Sequence, residues 1–187
     1  QGNATVKGDY TFGILANSWG ATEVLLNGNT LTKDGSNTFH LSNSTISAGT
    51  IQVNNGTLQI LGSTTIDDDT RFELGKNGAM EFAYKSNNHG SLSETQAVRI
   101  LNNTTTEGGI IKINTNVTLA GNTAAEKYTE VTYSGTLEVG NGGTLSLGSG
   151  GNGDNHGWKL NMTDATIQLN GGNLYFFGKN SNFGDIT

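Results

Sequence analysis

The 187-residue chain contains no proline and no cysteine, and few of its residues are charged or aromatic. The absence of cysteine excludes a disulfide framework and a thiolate metal site. Charged residues are 14% of the chain, against about 25% in ordinary soluble domains. No apolar run approaches the roughly 18 residues of a membrane-spanning helix. The sequence therefore predicts neither a disulfide-rich domain nor membrane insertion by this segment.

The charge balance is acidic, with a formal net charge of −6 and a sequence pI of about 4.9. Nucleic acids and anionic membrane surfaces are polyanions that attract basic proteins, so we expect neither as a partner. The three histidines are far apart in the sequence, and we expect no metal and no cofactor.

What the chain does contain is glycine, threonine, asparagine and serine, which together make up almost half of it. Between these residues, apolar side chains come in pairs two positions apart, and the pairs recur every seven or eight residues over much of the chain. A spacing of two places both members of a pair on one face of an extended strand. The pairs are Ile51/Val53, Leu58/Ile60, Phe72/Leu74, Met80/Phe82, Ile111/Ile113, Val117/Leu119, Leu137/Val139, Leu145/Leu147, Leu160/Met162, Ile167/Leu169 and Leu174/Phe176.

Short strands separated by Asn- and Gly-rich corners predict an all-β fold, and two architectures fit the pattern. The favoured one is a parallel β-solenoid, in which each short strand stacks on the equivalent strand of the next turn. Its turns must donate backbone N–H groups to one another, which explains the missing proline. The alternative is an antiparallel β-sandwich with longer strands joined by hairpins.

Residues 31–62 carry a more specific pattern. Leu-Thr-Lys-Asp-Gly at 31–35 is followed by a strand at 38–41, then by Gly-Thr-Ile-Gln-Val-Asn at 49–54 and Gly-Thr-Leu-Gln-Ile-Leu-Gly at 56–62. This segment resembles the strand repeat associated with bacterial autotransporter passengers, and residues 134–148 contain a less complete copy. The segment departs from the usual repeat at Thr38, which follows Asn rather than Gly, and at Ile51, where a second Thr is common.

The resemblance implies a right-handed parallel β-helix that is secreted or displayed on the bacterial outer surface. Passengers of this kind act as stalks or as adhesins that bind glycans or glycoproteins of a host or neighbouring cell. The repeat contributes no catalytic residues, so the resemblance favours a non-enzymatic protein.

The rival hypothesis is a β-helix hydrolase that acts on a surface polymer such as a mucin-type glycoprotein or a polysaccharide. Its candidate acid–base pair is Asp67 and Asp69, which would point the same way from an extended strand. Two nearby carboxylates can share a proton or flank a glycosidic bond. The alternatives for these residues are a solvated corner between two strands and a calcium site, since calcium is bound by several oxygens.

Four other residues are candidates for glycan contact, because aromatic rings stack on sugar faces and polar groups bind sugar hydroxyls. They are Trp158, Tyr84, His89 and Asn155. The alternative is that the aromatic residues pack over an end or a corner of the solenoid.

The pattern predicts one β-solenoid domain over residues 1–187. Residues 1–30 have longer spacing between apolar positions, which indicates an N-terminal cap over an otherwise open sheet edge. Residues 83–108 are polar and weakly patterned, which indicates a loop excursion from the scaffold.

Overall fold

The computed structural model describes residues 4–6, 10–12, 22–42, 44–61, 64–83, 93–119, 130–147, 159–176 and 181–186. This part of the chain winds repeatedly through the same three faces, and we number the faces in the order in which each turn visits them. Eight successive turns can be followed, the last over its first two faces.

Face 1 contains the strands that begin each turn. They are β1 (Ala4–Val6), β4 (Thr30–Lys33), the first parts of β7 (Gly49–Leu61) and β9 (Thr70–Ala83), β10 (Thr104–Thr106), β13 (Glu130–Val131), and the first parts of β16 (Lys159–Asn170) and β18 (Ser181–Ile186).

Face 2 follows within the same sheet. It contains β2 (Tyr10–Phe12), β5 (Thr38–Ser42), β11 (Ile110–Ile113), β14 (Thr136–Gly140) and the second parts of β7, β9, β16 and β18.

Face 3 is split into two three-stranded sheets. They comprise β3 (Thr22–Leu25), β6 (Ser44–Ser47) and β8 (Thr65–Ile66) in one, and β12 (Asn116–Leu119), β15 (Thr144–Leu147) and β17 (Asn173–Phe176) in the other. Helix α1 (Glu94–Asn102) lies between them in chain order.

Every strand-to-strand pairing in the described ranges is parallel and joins one turn to a neighbouring turn. This confirms the predicted all-β parallel solenoid and excludes the antiparallel sandwich. The strands of the predicted cap, β1, β2 and β3, pair in register with β4, β5 and β6, so they form a turn of the same solenoid.

Most of the predicted apolar pairs whose side chains are described lie in the core. In the strands whose side chains are described, alternate residues point inward and stack on the equivalent residues of adjacent turns, where burial drives folding. The apolar strand residues that are at most 1% exposed are Phe39, Leu41, Ile46, Ile51, Val53, Leu58, Ile60, Ile66, Phe72, Leu74, Met80, Phe82, Ile111, Ile113, Val117, Leu119, Val131, Leu137, Val139, Leu145, Leu147, Met162 and Ile167.

Two members of predicted pairs are exposed instead. Leu169 and Phe176 align in register with the buried residues Val139 and Leu147, yet they are 39% and 52% exposed. Phe176 lies on β17, the terminal strand of its sheet, and Leu169 lies on the last turn for which face 3 is described. Inner residues need a turn on both sides to be buried, and the described stack supplies one side here.

Residues 83–108 were predicted to form a loop excursion, and the structure differs from this in the second half of the segment. Residues 93–108 contain α1 and β10, and residues 84–92 lie outside the described ranges. Helix α1 takes the face 3 position of the fourth turn and buries Ala97, Ile100 and Leu101, which are at most 1% exposed. Strand β10 pairs with β9 and so belongs to face 1.

Helix α1 also closes the edge of the sheet that ends at β8. The backbone N–H of Ile66 donates to the Gln96 side-chain oxygen at 2.6 Å, and Arg99 donates to the Ile66 carbonyl at 2.5 Å. A buried sheet edge needs such partners because unpaired backbone groups are costly. The helix thus replaces a strand both in packing and in hydrogen bonding.

Candidate functional site

The outward side of face 2 carries a straight row of polar side chains. Pairing from β5 to β16 places one residue of each of six successive turns in register, and all six side chains are half-buried. We call this set the face 2 row: His40, Gln59, Glu81, Lys112, Glu138 and Gln168. Adjacent strands lie about 4.8 Å apart, so the row is about 24 Å long.

The row contains both hydrogen-bond donors and hydrogen-bond acceptors. His40 Nδ1 lies 2.6 Å from Gln59 Oε1, and Asn114 donates to Glu81 Oε1 at 2.9 Å. Lys112 stands between Glu81 and Glu138 in the register. The row therefore offers acceptors and donors at regular intervals along the solenoid axis.

Face 1 carries a comparable set of polar side chains, and these hydrogen-bond to one another. Thr32 donates to Gln52 at 3.5 Å, and the Gln52 amide donates to Glu73 at 3.2 Å. Gln52 and Glu73 face each other on β7 and β9, as Gln59 and Glu81 do on face 2. The two faces thus present the same pair of residue types on the same two strands.

A polar depression of about 570 Å³ lies at the corner between faces 1 and 2. Three successive turns contribute to it, and we call it the corner depression. It is lined by Asp34, Gly35, Ser36, Asn55, Gly56 and Asn77. The Asn55 side-chain amide donates to Asp34 Oδ1 at 2.6 Å, which joins the second turn to the third.

Lys33 is fully buried beside this corner. Its ammonium donates to the carbonyl of Gly35 at 2.7 Å and to that of Asn55 at 3.1 Å, with the Asp34 carbonyl at 3.4 Å. A buried charge is tolerable only when its donors are satisfied, and these carbonyls meet that need. The sequence signal for this arrangement was the lysine two residues after Leu31, at an inward position.

Glycine permits the backbone to turn at this corner. Gly56 has a φ of +75°, and a Cβ there would lie 2.4 Å from the carbonyl oxygens of Gly35 and Asn37. Both the left-handed conformation and the close approach of the previous turn therefore require glycine.

The predicted acid–base pair lies elsewhere, in the turn between β8 and β9. Asp67, Asp68 and Asp69 are all exposed, and the Thr70 N–H donates to the Asp67 carbonyl at 3.1 Å. The segment is a solvated corner rather than an extended strand. Asp68 forms an ion pair with Arg99 of α1, which gives this residue a structural role. Catalysis by Asp67 and Asp69 stays a prediction.

The four residues predicted to contact glycans, Trp158, Tyr84, His89 and Asn155, lie outside the described residues. Among the residues that are described, no group of three or more His, Asp or Glu side chains converges as a metal site would require. In the same part of the chain, no helix has the length and apolar character needed to cross a bilayer.

Comparison of the chain with protein-family models, with curated proteins and with solved structures gave no match.

Proposed function

We propose that this protein is a secreted or surface-displayed bacterial β-helix, similar to an autotransporter passenger, that binds glycans or glycoproteins of a host or neighbouring cell. The observation that carries the proposal is the face 2 row, a regular line of donors and acceptors on a stiff scaffold. Sugars are recognised through hydroxyl groups that both donate and accept, and such a row supplies both.

The charges of the face 2 row indicate which class of glycan it can bind. It contains two carboxylates and one ammonium, and the whole chain is acidic. A strongly sulfated or otherwise polyanionic glycan would be repelled. We therefore propose neutral glycans, or glycans that carry amino groups, as the ligands. The resemblance of residues 31–62 to a passenger repeat supports the proposed location on the cell surface.

The test uses a glycan array probed with the purified chain, followed by affinity measurement for the glycans retained. In one variant, Gln59→Ala and Glu81→Ala remove two neighbouring members of the face 2 row. The matched control, Gln52→Ala with Glu73→Ala, removes the same residue types from the same two strands on face 1.

We expect the face 2 variant to lose affinity by about tenfold or more, the equivalent of roughly 1.4 kcal/mol, and the control to change it less than about twofold. Thermal unfolding of both variants should be similar, because the four side chains point outward. Equal losses in the two variants, or no retained glycan at all, would overturn the proposal.

A further inference from the structure

The corner depression is an open surface groove whose volume is that of a small-molecule site. Its volume of about 570 Å³ falls within the range of roughly 300–1,000 Å³ that such sites occupy. Its lining contains a carboxylate, a hydroxyl and two carboxamides, and its glycines contribute backbone alone. Asn55 and Asn77 are in register on β7 and β9, so their side chains follow one another along the corner.

The buried ammonium of Lys33, below the corner depression, limits the kinds of ligand that can bind there. Lys33 Nζ donates to the carbonyl oxygens of Gly35 and Asn55, which are among the oxygen ligands that a hard cation such as Ca²⁺ would use. A second cation would also be repelled by the ammonium. The positive charge of Lys33 and the negative charge of Asp34 balance, so the corner favours a neutral ligand.

The carboxylate and the carboxamide form an oriented pair. The 2.6 Å bond from Asn55 Nδ2 to Asp34 Oδ1 fixes the orientation of the amide, whose oxygen then accepts and whose second N–H donates. A carboxylate has about four acceptor sites, so Asp34 can accept from protein donors and from ligand hydroxyls together. Neighbouring hydroxyl groups of a sugar ring match such a pair.

We propose that the corner depression is a subsite for a single neutral sugar unit, bound through Asp34, Asn55 and Asn77. Lys33 holds the two turns of the corner together from inside. The inference rests on the proposed function for the class of ligand, but it concerns a different surface from the face 2 row. The subsite would hold one unit of a glycan, or its end, beside the row.

The test is a titration of the isotopically labelled chain with neutral monosaccharides, followed by two-dimensional nitrogen–proton NMR. Sugar concentrations up to about 50 mM detect dissociation constants of a few mM. We expect saturable shifts of the Asn55 and Asn77 side-chain amides and of the Gly35 and Gly56 backbone amides. In Asp34→Asn the apparent affinity should fall about tenfold or more. The matched control, Asp164→Asn, changes an exposed aspartate on β16 and should leave the affinity unaltered.

The outcomes separate this inference from the proposed function. Saturable shifts that persist in the Gln59→Ala and Glu81→Ala variant would support the subsite even if no long glycan binds face 2. Array binding that is unaffected by Asp34→Asn, together with no monosaccharide shifts, would overturn the subsite and leave the proposed function standing. Shifts produced by Ca²⁺ alone, in the absence of sugar, would also overturn it.

Discussion

Replacing Lys33 by methionine tests how the corner is held together. Methionine is close to lysine in length and shape but has no charge and no donor. In the native protein the ammonium is fully buried and donates to the carbonyls of Gly35 and Asn55 at 2.7 and 3.1 Å. In Lys33→Met these part-buried carbonyls lose their donor.

The expected cost follows from those two bonds. Leaving a fully buried acceptor without a partner costs about 1–3 kcal/mol, so these two part-buried carbonyls cost at most about 2–6 kcal/mol. Removing a buried charge recovers part of this, since the ammonium no longer has to be desolvated. We therefore expect Lys33→Met to lower the free energy of unfolding by about 3 kcal/mol. For a chain of this length, that corresponds to a melting temperature lower by about 6–12 °C.

The assay is urea unfolding of both proteins, with hydrogen exchange of the Thr57 amide as a local reporter. Thr57 donates to the Asn37 carbonyl at 3.2 Å across the same corner, so its exchange should accelerate. Lys112→Met is the matched control, since Lys112 is half-buried on the outer face, and we expect it to change stability by less than about 0.5 kcal/mol. A Lys33→Met protein as stable as the native one would refute this account of the corner.

Three further predictions concern other parts of the structure. Gly56→Ala should lower the free energy of unfolding by about 2 kcal/mol more than Gly142→Ala does, as measured by urea unfolding. Both glycines have positive φ, but a Cβ at position 142 meets open space. Equal losses of stability in the two variants would contradict this prediction. Burial raises the pKa of Tyr133 above its ordinary value near 10, so unfolded chains lose this proton first as pH rises. Between about pH 9 and 11, the free energy of unfolding of the native protein should therefore fall by about 1.4 kcal/mol more than that of Tyr133→Phe. Parallel curves of stability against pH for the two proteins would contradict this prediction. Gln96→Ala should cost about 1–3 kcal/mol by leaving the Ile66 N–H unpaired, with faster exchange of that amide; an unchanged exchange rate would count against the role of α1 at this edge.

The sequence predicted the strands well because their signal is local. A spacing of two apolar residues, as in Ile51 and Val53, fixes which side of a strand faces inward, and inward residues of a solenoid must be apolar along almost its whole length. The spacing of apolar residues did not predict the burial of Lys33. One of its partners, the carbonyl of Asn55, is 22 residues away in the sequence and is brought close by the stacking of turns.

Helix α1 was missed although its start carried a signal. Ser93 accepts from the backbone N–H of Gln96, and a Ser followed three residues later by Gln is the pattern of a capping box. The segment is short and mostly polar outside, so the helix depends on burying Ala97 and Leu101 against strands that are distant in sequence.

The face 2 row could not be predicted from the sequence, for a different reason. Its successive members are separated by intervals that range from 19 residues, between His40 and Gln59, to 31 residues, between Glu81 and Lys112. The corners and α1 differ in length, so no fixed period aligns these residues. Only the register of the stacked strands reveals the row.

The most direct test of glycan binding along face 2 is the dependence of affinity on glycan length, measured by calorimetry with oligosaccharides of increasing size from the class that the array retains. Binding along the row predicts that affinity rises with chain length until the glycan is roughly 24 Å long and then levels off. The rise should disappear in the Gln59→Ala and Glu81→Ala variant. An affinity that is the same for the shortest and the longest glycan, or a length dependence that survives in that variant, would contradict it.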